Sequence, residues 1–163
     1  LGGRSVAEQL PVGQHCFTDP DIIPQHPWFP FCDGDQTQQD SPTRDGSIIV
    51  VVATDAPALP HQLSRVAKRP ALALGRLGAI SNPGSGDIFV AFSTANRGAT
   101  GEDEFNRVEQ LPNNALEGLF RATVQATEEA IVNAMVAADT MTGADGLRVH
   151  ALPHNLVRDL FAD

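Results

Sequence analysis

Hydroxyl chemistry has two candidate addresses in this chain. Asp45-Gly46-Ser47 stands where an irregular region gives way to a β-branched run, and Gly84-Ser85-Gly86-Asp87 stands just before a second such run. A Ser directly after Gly, at the start of a buried strand, is where an internal N-to-O acyl shift can cut the backbone. Gly46 has no Cβ and can take the strained dihedrals that bring the hydroxyl onto its carbonyl. A cut there leaves Ser47 with a free α-amine, whose intrinsic pKa of about 7.7 to 8 makes it a local base near neutral pH. Ser85 and Asp87 are two apart, so in an extended segment both side chains leave the same face. A hydroxyl beside a carboxylate can pass a proton toward, or away from, a nucleophile opposite it. Each motif taken alone reads more simply as a turn that satisfies backbone amides before a strand begins.

Other chemistry finds less support. His15, His26, His61, His150 and His154 show no HExxH or comparable metal spacing. Pro153 lies between His150 and His154 and argues against a shared helical face for zinc. No Gly-x-Ser-x-Gly elbow surrounds either serine, so surface or capping roles suit all five histidines better than a Ser-His-Asp triad. Asp33-Gly34-Asp35-Gln36-Thr37 opens like a calcium loop, but Gln38 and Arg44 stand where such a loop needs Gly and Glu. These spacings give no reason to expect a bound metal.

The elements that must position these residues follow from periodicity. From Gln14 to Gly46 the chain is crowded with Pro, Asp, Gln, Thr and His, without a period of 2 or 3.6, and reads as a long irregular connection. Ser47 to Thr54 is a strand expected to be buried on both faces. A helix introduced by Pro57 to Pro60 carries Leu63, Val66, Ala67, Leu74 and Leu77 at helical spacing, and Pro70 should kink or split it. Gly78 ends that segment, Ser81-Asn82-Pro83-Gly84 makes a turn, and Asp87 to Thr94 is a second buried strand. After a Gly- and acid-rich loop, Asn114 and Glu117 predict a capping box at the start of a long helix. Its apolar face is Leu116, Leu119, Phe120, Val124, Ile131, Met135 and Ala138, and Gly143 stops it. Periodicity alone gives a mixed helix and strand protein with a possible βαβ crossover.

Composition sets the outer bounds. The 163 residues are 42% hydrophobic and 19% charged, values ordinary for a globular protein with one core or part of a larger one. A formal charge of −9 repels nucleic acid and anionic membrane, so neither is an expected partner. No apolar run approaches the roughly 18 to 20 residues that span a bilayer. Arg65, Lys68, Arg69 and Arg76 lie at helical spacing between apolar residues and read as a solvated face. Cys16 and Cys32 can pair, but two cysteines do not settle the compartment; the cytoplasm is the default expectation. Leu1 reads as a cut inside a longer protein.

Several stretches together resemble one family. DGSIIVVVATDAPALPHQLSRVAKR is similar to the start of the β-subunit in the DmpA-like L-aminopeptidase/D-esterase-amidase (β-aminopeptidase) family. SGDIFVAFSTAN and TEEAIVNAMVAADTMTGADG with its trailing HALP follow in order, and Leu10-Pro11-Val12-Gly13 resembles the segment before that family's variable linker. The resemblance covers almost all of residues 47 to 155. It implies a precursor that cuts itself between Gly46 and Ser47, with Ser47 as nucleophile and Ser85 and Asp87 assisting. Some members carry Glu where Asp87 stands.

The resemblance further implies a four-layer αββα sandwich of the α+β class, incomplete here on its N-terminal side. Residues 1–46 become the tail of an N-terminal α-subunit plus linker, and residues 47–163 the β-subunit. It implies an aminopeptidase or amidase acting on small peptides, amides or esters, with no cofactor, and a homo-oligomer of processed pairs. The α-subunit should bring a Tyr and an oxyanion-binding Asn; the chain has no Tyr. Two alternatives stand beside this: an ornithine-acetyltransferase-like acyl transfer, whose processing nucleophile is Thr rather than Ser, and a non-catalytic fragment or assembly subunit of the same fold.

Overall fold

A computed structural model of the chain describes residues 15–17, 46–102 and 105–162. Cys32, His26, Asp45, Leu10 to Gly13 and the calcium-loop-like stretch, about which the sequence raised expectations, lie outside those residues. The chain divides into two compact units, one of Asp45–Ile131 and one of Leu1–Arg44 with Val132–Asp163.

The Asp45–Ile131 unit is built on two parallel strands. β2 (Ile49–Thr54) and β3 (Ile88–Ser93) pair in register from Ile49 opposite Ile88 to Thr54 opposite Ser93. Both are β-branched or aromatic runs, which suit a pleated surface. Parallel neighbours need a crossover, and here it is made by α1 (Pro60–Val66) and α2 (Pro70–Arg76). Pro70 splits the expected single helix: its ring cannot continue α1, yet it sits at the first position of α2, where a missing N–H costs nothing. The turn at Asn82 closes with Ser85 N–H donating to the Asn82 carbonyl at 2.8 Å.

The long helix, α3 (Leu116–Ala137), is entered through a 3-10 turn at Asn113–Ala115. The expected Asn114–Glu117 capping box is absent; Glu117 is instead bonded by Arg121, four residues on, at 3.0 Å. The fully buried line of α3 is Leu116, Thr123 and Thr127 rather than an all-aliphatic stripe. Both threonine hydroxyls donate to carbonyls four residues back, at 2.7 and 2.8 Å, which lets them enter the core without an unpaired donor. Met135 is exposed, and Ala138 lies past the end of the helix.

The basic stretch is not a plain solvated face. Arg69 and Arg65 lie over the ring of Phe120, with the Arg69 guanidinium carbon 3.9 Å from its centre, and Arg76 pairs with Glu128. These contacts fasten the crossover helices to α3. Lys68 remains exposed.

One expectation about the strands fails. Neither is buried on both faces: half-buried residues alternate with exposed ones along each. Ile49 and Val51 are 68% and 59% exposed, and Ile88, Val90 and Phe92 share their face. Among the described residues, nothing covers that side of the sheet.

The core on the other face contains Val66, Ala73 and Leu116 together with one buried amide, Gln62. Gln62 closes α1 onto the segment before α3. Its Oε1 accepts from Leu59 N–H at 3.1 Å, and its Nε2 donates to the Leu111 carbonyl at 2.7 Å and to Asn113 Oδ1 at 3.3 Å.

The Leu1–Arg44 and Val132–Asp163 unit holds a three-stranded antiparallel sheet in the order β1 (His15–Phe17), β5 (Leu147–Val149), β4 (Met141–Thr142). Cys16 on β1 is buried and disulfide-bonded. His150 Nε2 lies 3.4 Å from its sulfur. A final helix, α4 (His154–Phe161), begins just after Pro153, and His154 donates through Nε2 to the Val136 carbonyl at 2.9 Å.

Replacing Gln62 with Ala would remove the partner of the part-buried Leu59 N–H and Leu111 carbonyl and empty the space of a fully buried side chain. A typical hydrogen bond contributes about 0.5 to 1.5 kcal/mol, so with two lost Gln62→Ala is expected to lower unfolding free energy by about 1 to 3 kcal/mol in a denaturant titration. A loss below about 0.5 kcal/mol would show that the amide is not a closing bond of this core.

Candidate active site

The in-register pairing that starts at Ile49 and Ile88 also sets what lies just before it. Ser47 precedes β2 by one residue beyond Ile48, and Ser85, Gly86 and Asp87 lead into β3. Three hydrogen bonds extend the ladder past its last strand pair. Ile88 N–H donates to the Ile48 carbonyl at 2.9 Å. Ile48 N–H donates to Asp87 Oδ1 at 3.2 Å, and Gly86 N–H donates to Ser47 Oγ at 3.0 Å.

Ser85 and Asp87 do share a face, as their spacing suggests. The Ser85 hydroxyl donates to Asp87 Oδ1 at 2.8 Å. With its hydrogen directed at the carboxylate, Ser85 Oγ keeps its lone pairs to accept from a further donor. Both residues are half-buried, whereas Ser47 and Gly46 are exposed.

Ser47 Oγ is bonded to the Gly86 amide and not directly to Ser85 or Asp87. The structure therefore gathers all three expected residues at one end of the strand pair, with Gly86 as the link. The backbone donors of Gly86 and Ile48 are the functional groups that sequence reasoning missed. Only the register of the two strands could have signalled them, because a main-chain N–H leaves no mark in residue type.

The φ of Gly46 is not in the left-handed region, and open space surrounds the position of a Cβ. At Gly86 a Cβ would meet Ser47 Oγ at 3.4 Å, an ordinary contact.

Among the histidines with described side chains, His61, His150 and His154, none is hydrogen-bonded to Ser47, Ser85 or Asp87; His61 is exposed on α1. Among the described residues, no group of three or more His, Cys, Asp or Glu is placed to hold a metal ion, and no helix is long and apolar enough to cross a membrane. A hollow of about 490 Å³ lies at the far ends of the strands, between Thr54, Asp55, Thr94 and Thr123, and includes none of the three residues.

A serine at the lip of a parallel strand pair, bonded by a main-chain amide and faced by a Ser–Asp couple, defines a site suited to acyl chemistry on a hydroxyl. The model of peptidase family S58 matches residues 6–149, and the chain belongs to that family.

A beta-peptidyl aminopeptidase, BapA of Sphingosinicella microcystinivorans, is 57% identical over 116 residues, covering 70% of this chain and 29% of BapA. The solved L-aminopeptidase D-Ala-esterase/amidase of Ochrobactrum anthropi, described as a prototype for the serine aminopeptidases and a new variant of the Ntn hydrolase fold, superposes with a TM-score of 0.65. It is 45% identical, over 70% of this chain and 32% of that one. A Burkholderia sp. beta-aminopeptidase superposes with a TM-score of 0.62 at 38% identity, over 72% of this chain and 36% of its own. The chain thus spans about a third of the length of the relatives it matches. The mixed α+β character expected from the sequence is shared with them.

The Gly86 amide proton is expected to exchange with solvent at least tenfold faster in Ser47→Ala than in the wild type, while that of Ile88, bonded to a backbone carbonyl, stays unchanged. Equal Gly86 rates in both proteins, read by NMR hydrogen exchange, would show that Ser47 Oγ is not its acceptor.

Proposed function

We propose that this chain carries the nucleophile of a self-cleaving serine aminopeptidase or amidase, which releases N-terminal residues from small peptides, amides or esters. The observation that supports it most is the position of Ser47: it sits two residues before β2, bonded by Gly86 and near the Ser85–Asp87 couple, in a chain of family S58.

In the maturation step the Ser47 hydroxyl attacks the Gly46 carbonyl carbon, the Gly46–Ser47 C–N bond breaks, and an ester forms. Water then hydrolyses the ester, leaving a Gly46 carboxylate and a Ser47 α-amine. Residues 1–46 would end the upstream α-subunit with its linker, and residues 47–163 would form the β-subunit.

In turnover the same hydroxyl attacks the substrate carbonyl. Its proton passes to the Ser47 amine or to the Ser85–Asp87 couple, the leaving amine takes up a proton, and water resolves the acyl-enzyme. Backbone amides together with an Asn from the upstream subunit would hold the oxyanion, a contribution on the order of 3 kcal/mol per donor.

The bare apolar face of β2 and β3 supports the four-layer αββα reading. Ile49, Val51, Ile88, Val90 and Phe92 form a surface suited to a second sheet. The partners in this reading are the α-subunit segment, a small peptide, amide or ester substrate, and further copies of the processed pair in a homo-oligomer.

The test uses the full-length protein and an aminoacyl p-nitroanilide. Ser47→Ala is expected to reduce release of p-nitroaniline to background, and Ser85→Ala to slow it on the order of 10²-fold, the scale of a lost acid–base partner. Wild-type turnover in Ser47→Ala would remove Ser47 from the chemistry and the proposal with it.

A further inference from the structure

We propose that Ser81 and Pro83 are positioning residues: the turn they shape holds the Gly86 amide where it meets Ser47 Oγ. The inference rests on the reading of Ser47 as nucleophile, and both residues act on it only through the backbone.

The connection from α2 to β3 is closed at each end. At the α2 end, Gly78 takes φ +100° and its N–H donates to the Gly75 carbonyl at 3.2 Å, while Ala79 N–H donates to the Leu74 carbonyl at 3.0 Å. These two bonds form a Schellman stop, which places a left-handed residue where Gly78 stands. At the β3 end, Ser85 N–H donates to the Asn82 carbonyl at 2.8 Å. Pro83 is second in that four-residue turn, where its fixed φ suits the turn, and its ring disfavours helical dihedrals at Asn82 before it.

Ile80 and Ser81 join the two closed ends. Both are exposed, and neither is hydrogen-bonded to a described residue. Ser81 nevertheless takes φ +51°, in the left-handed region that a side chain with a Cβ enters at a cost. Gly, Asn or Asp is the ordinary occupant of such a place. No bond of its own holds Ser81 there, so the closed ends on either side impose the conformation. Backbone strain kept in this way is characteristic of segments that position functional groups.

The group positioned lies one residue beyond the turn. Gly86 N–H donates to Ser47 Oγ at 3.0 Å, and its direction is that of the Ser85–Gly86 peptide plane. Downstream that plane is steadied by Ile88, whose N–H is bonded to the Ile48 carbonyl at 2.9 Å. Upstream the nearest backbone restraint is the Asn82–Ser85 turn. If the turn opens, the Ser85–Gly86 peptide can rotate and swing its donor off Oγ. A misplacement of about 1 Å near a reacting atom costs on the order of 10²-fold in rate. The turn bears on where the hydroxyl sits and leaves its proton acceptors untouched.

Three variants of the full-length protein test this: Ser81→Val, Ser81→Asn and Pro83→Gly. Circular dichroism checks folding, denaturing mass spectrometry measures self-cleavage, and p-nitroanilide kinetics are read on the cut protein. Val is β-branched and ill suited to positive φ, whereas Asn adopts it readily. Ser81→Val and Pro83→Gly are each expected to lose about tenfold in kcat, with KM changed less than about twofold and the pH profile unmoved. Ser81→Asn is expected to keep kcat within about twofold of wild type, since it restores the conformation without the serine.

Wild-type kcat in folded Ser81→Val and Pro83→Gly would overturn the inference. So would equal losses in Ser81→Val and Ser81→Asn, or a shifted pH profile in any of the three. A folded Ser81→Val chain that stays uncut supports it, because the first attack uses the same hydroxyl. If Ser81→Val does not fold, Pro83→Gly alone decides. A wild-type chain that remains uncut, or turnover that survives Ser47→Ala, would remove the underlying reading whatever the turn does.

Discussion

Parallel pairing of β2 with β3 is the constraint on which the rest of the site depends. Ser47 and the Ser85-Gly86-Asp87 segment are separated along the chain by two helices and a turn, and each is only a short polar stretch in front of a strand. The register that sets Ile49 opposite Ile88 leaves Ser47 beside Gly86 and Ile48 beside Asp87. A slip of one residue would send alternate side chains to the opposite face of the sheet and dissolve that arrangement. The register is held on one side by the crossover helices, whose splitting at Pro70 and closure by Gln62 fit α1 against β3.

Much of this was legible in the residues. Two β-branched runs became the two strands within a residue or two of the expected ends, because few other structures suit Ile-Ile-Val-Val-Val. Pro70 divided the crossover for a local reason that no packing can override. Ser85 and Asp87 met because alternation in an extended segment is a geometric necessity.

What stayed hidden depended on distant partners. Burial of both strand faces was inferred from hydrophobicity alone, and a run such as Val50-Val51-Val52 looks the same whether one face or two are covered. The capping box at Asn114 was overridden by a 3-10 entry and by the pull of Arg121 on Glu117. Arg65 and Arg69 looked solvated because nothing in their spacing announces Phe120, some fifty residues downstream. The short strand at Cys16 lay in a stretch without periodicity and acquires its structure only by pairing with β5.

At the site the division is the same. The side chains of the candidate site were visible as residue types; the main-chain amides bonded to them were not. The proposed chemistry requires Ser47 to be both a cut end and a nucleophile, and denaturing mass spectrometry of the purified wild-type full-length protein addresses that directly. Two fragments whose masses meet between Gly46 and Ser47 are the expected result. A single mass equal to the whole chain would contradict it, leaving Ser47 an ordinary residue at the start of a strand.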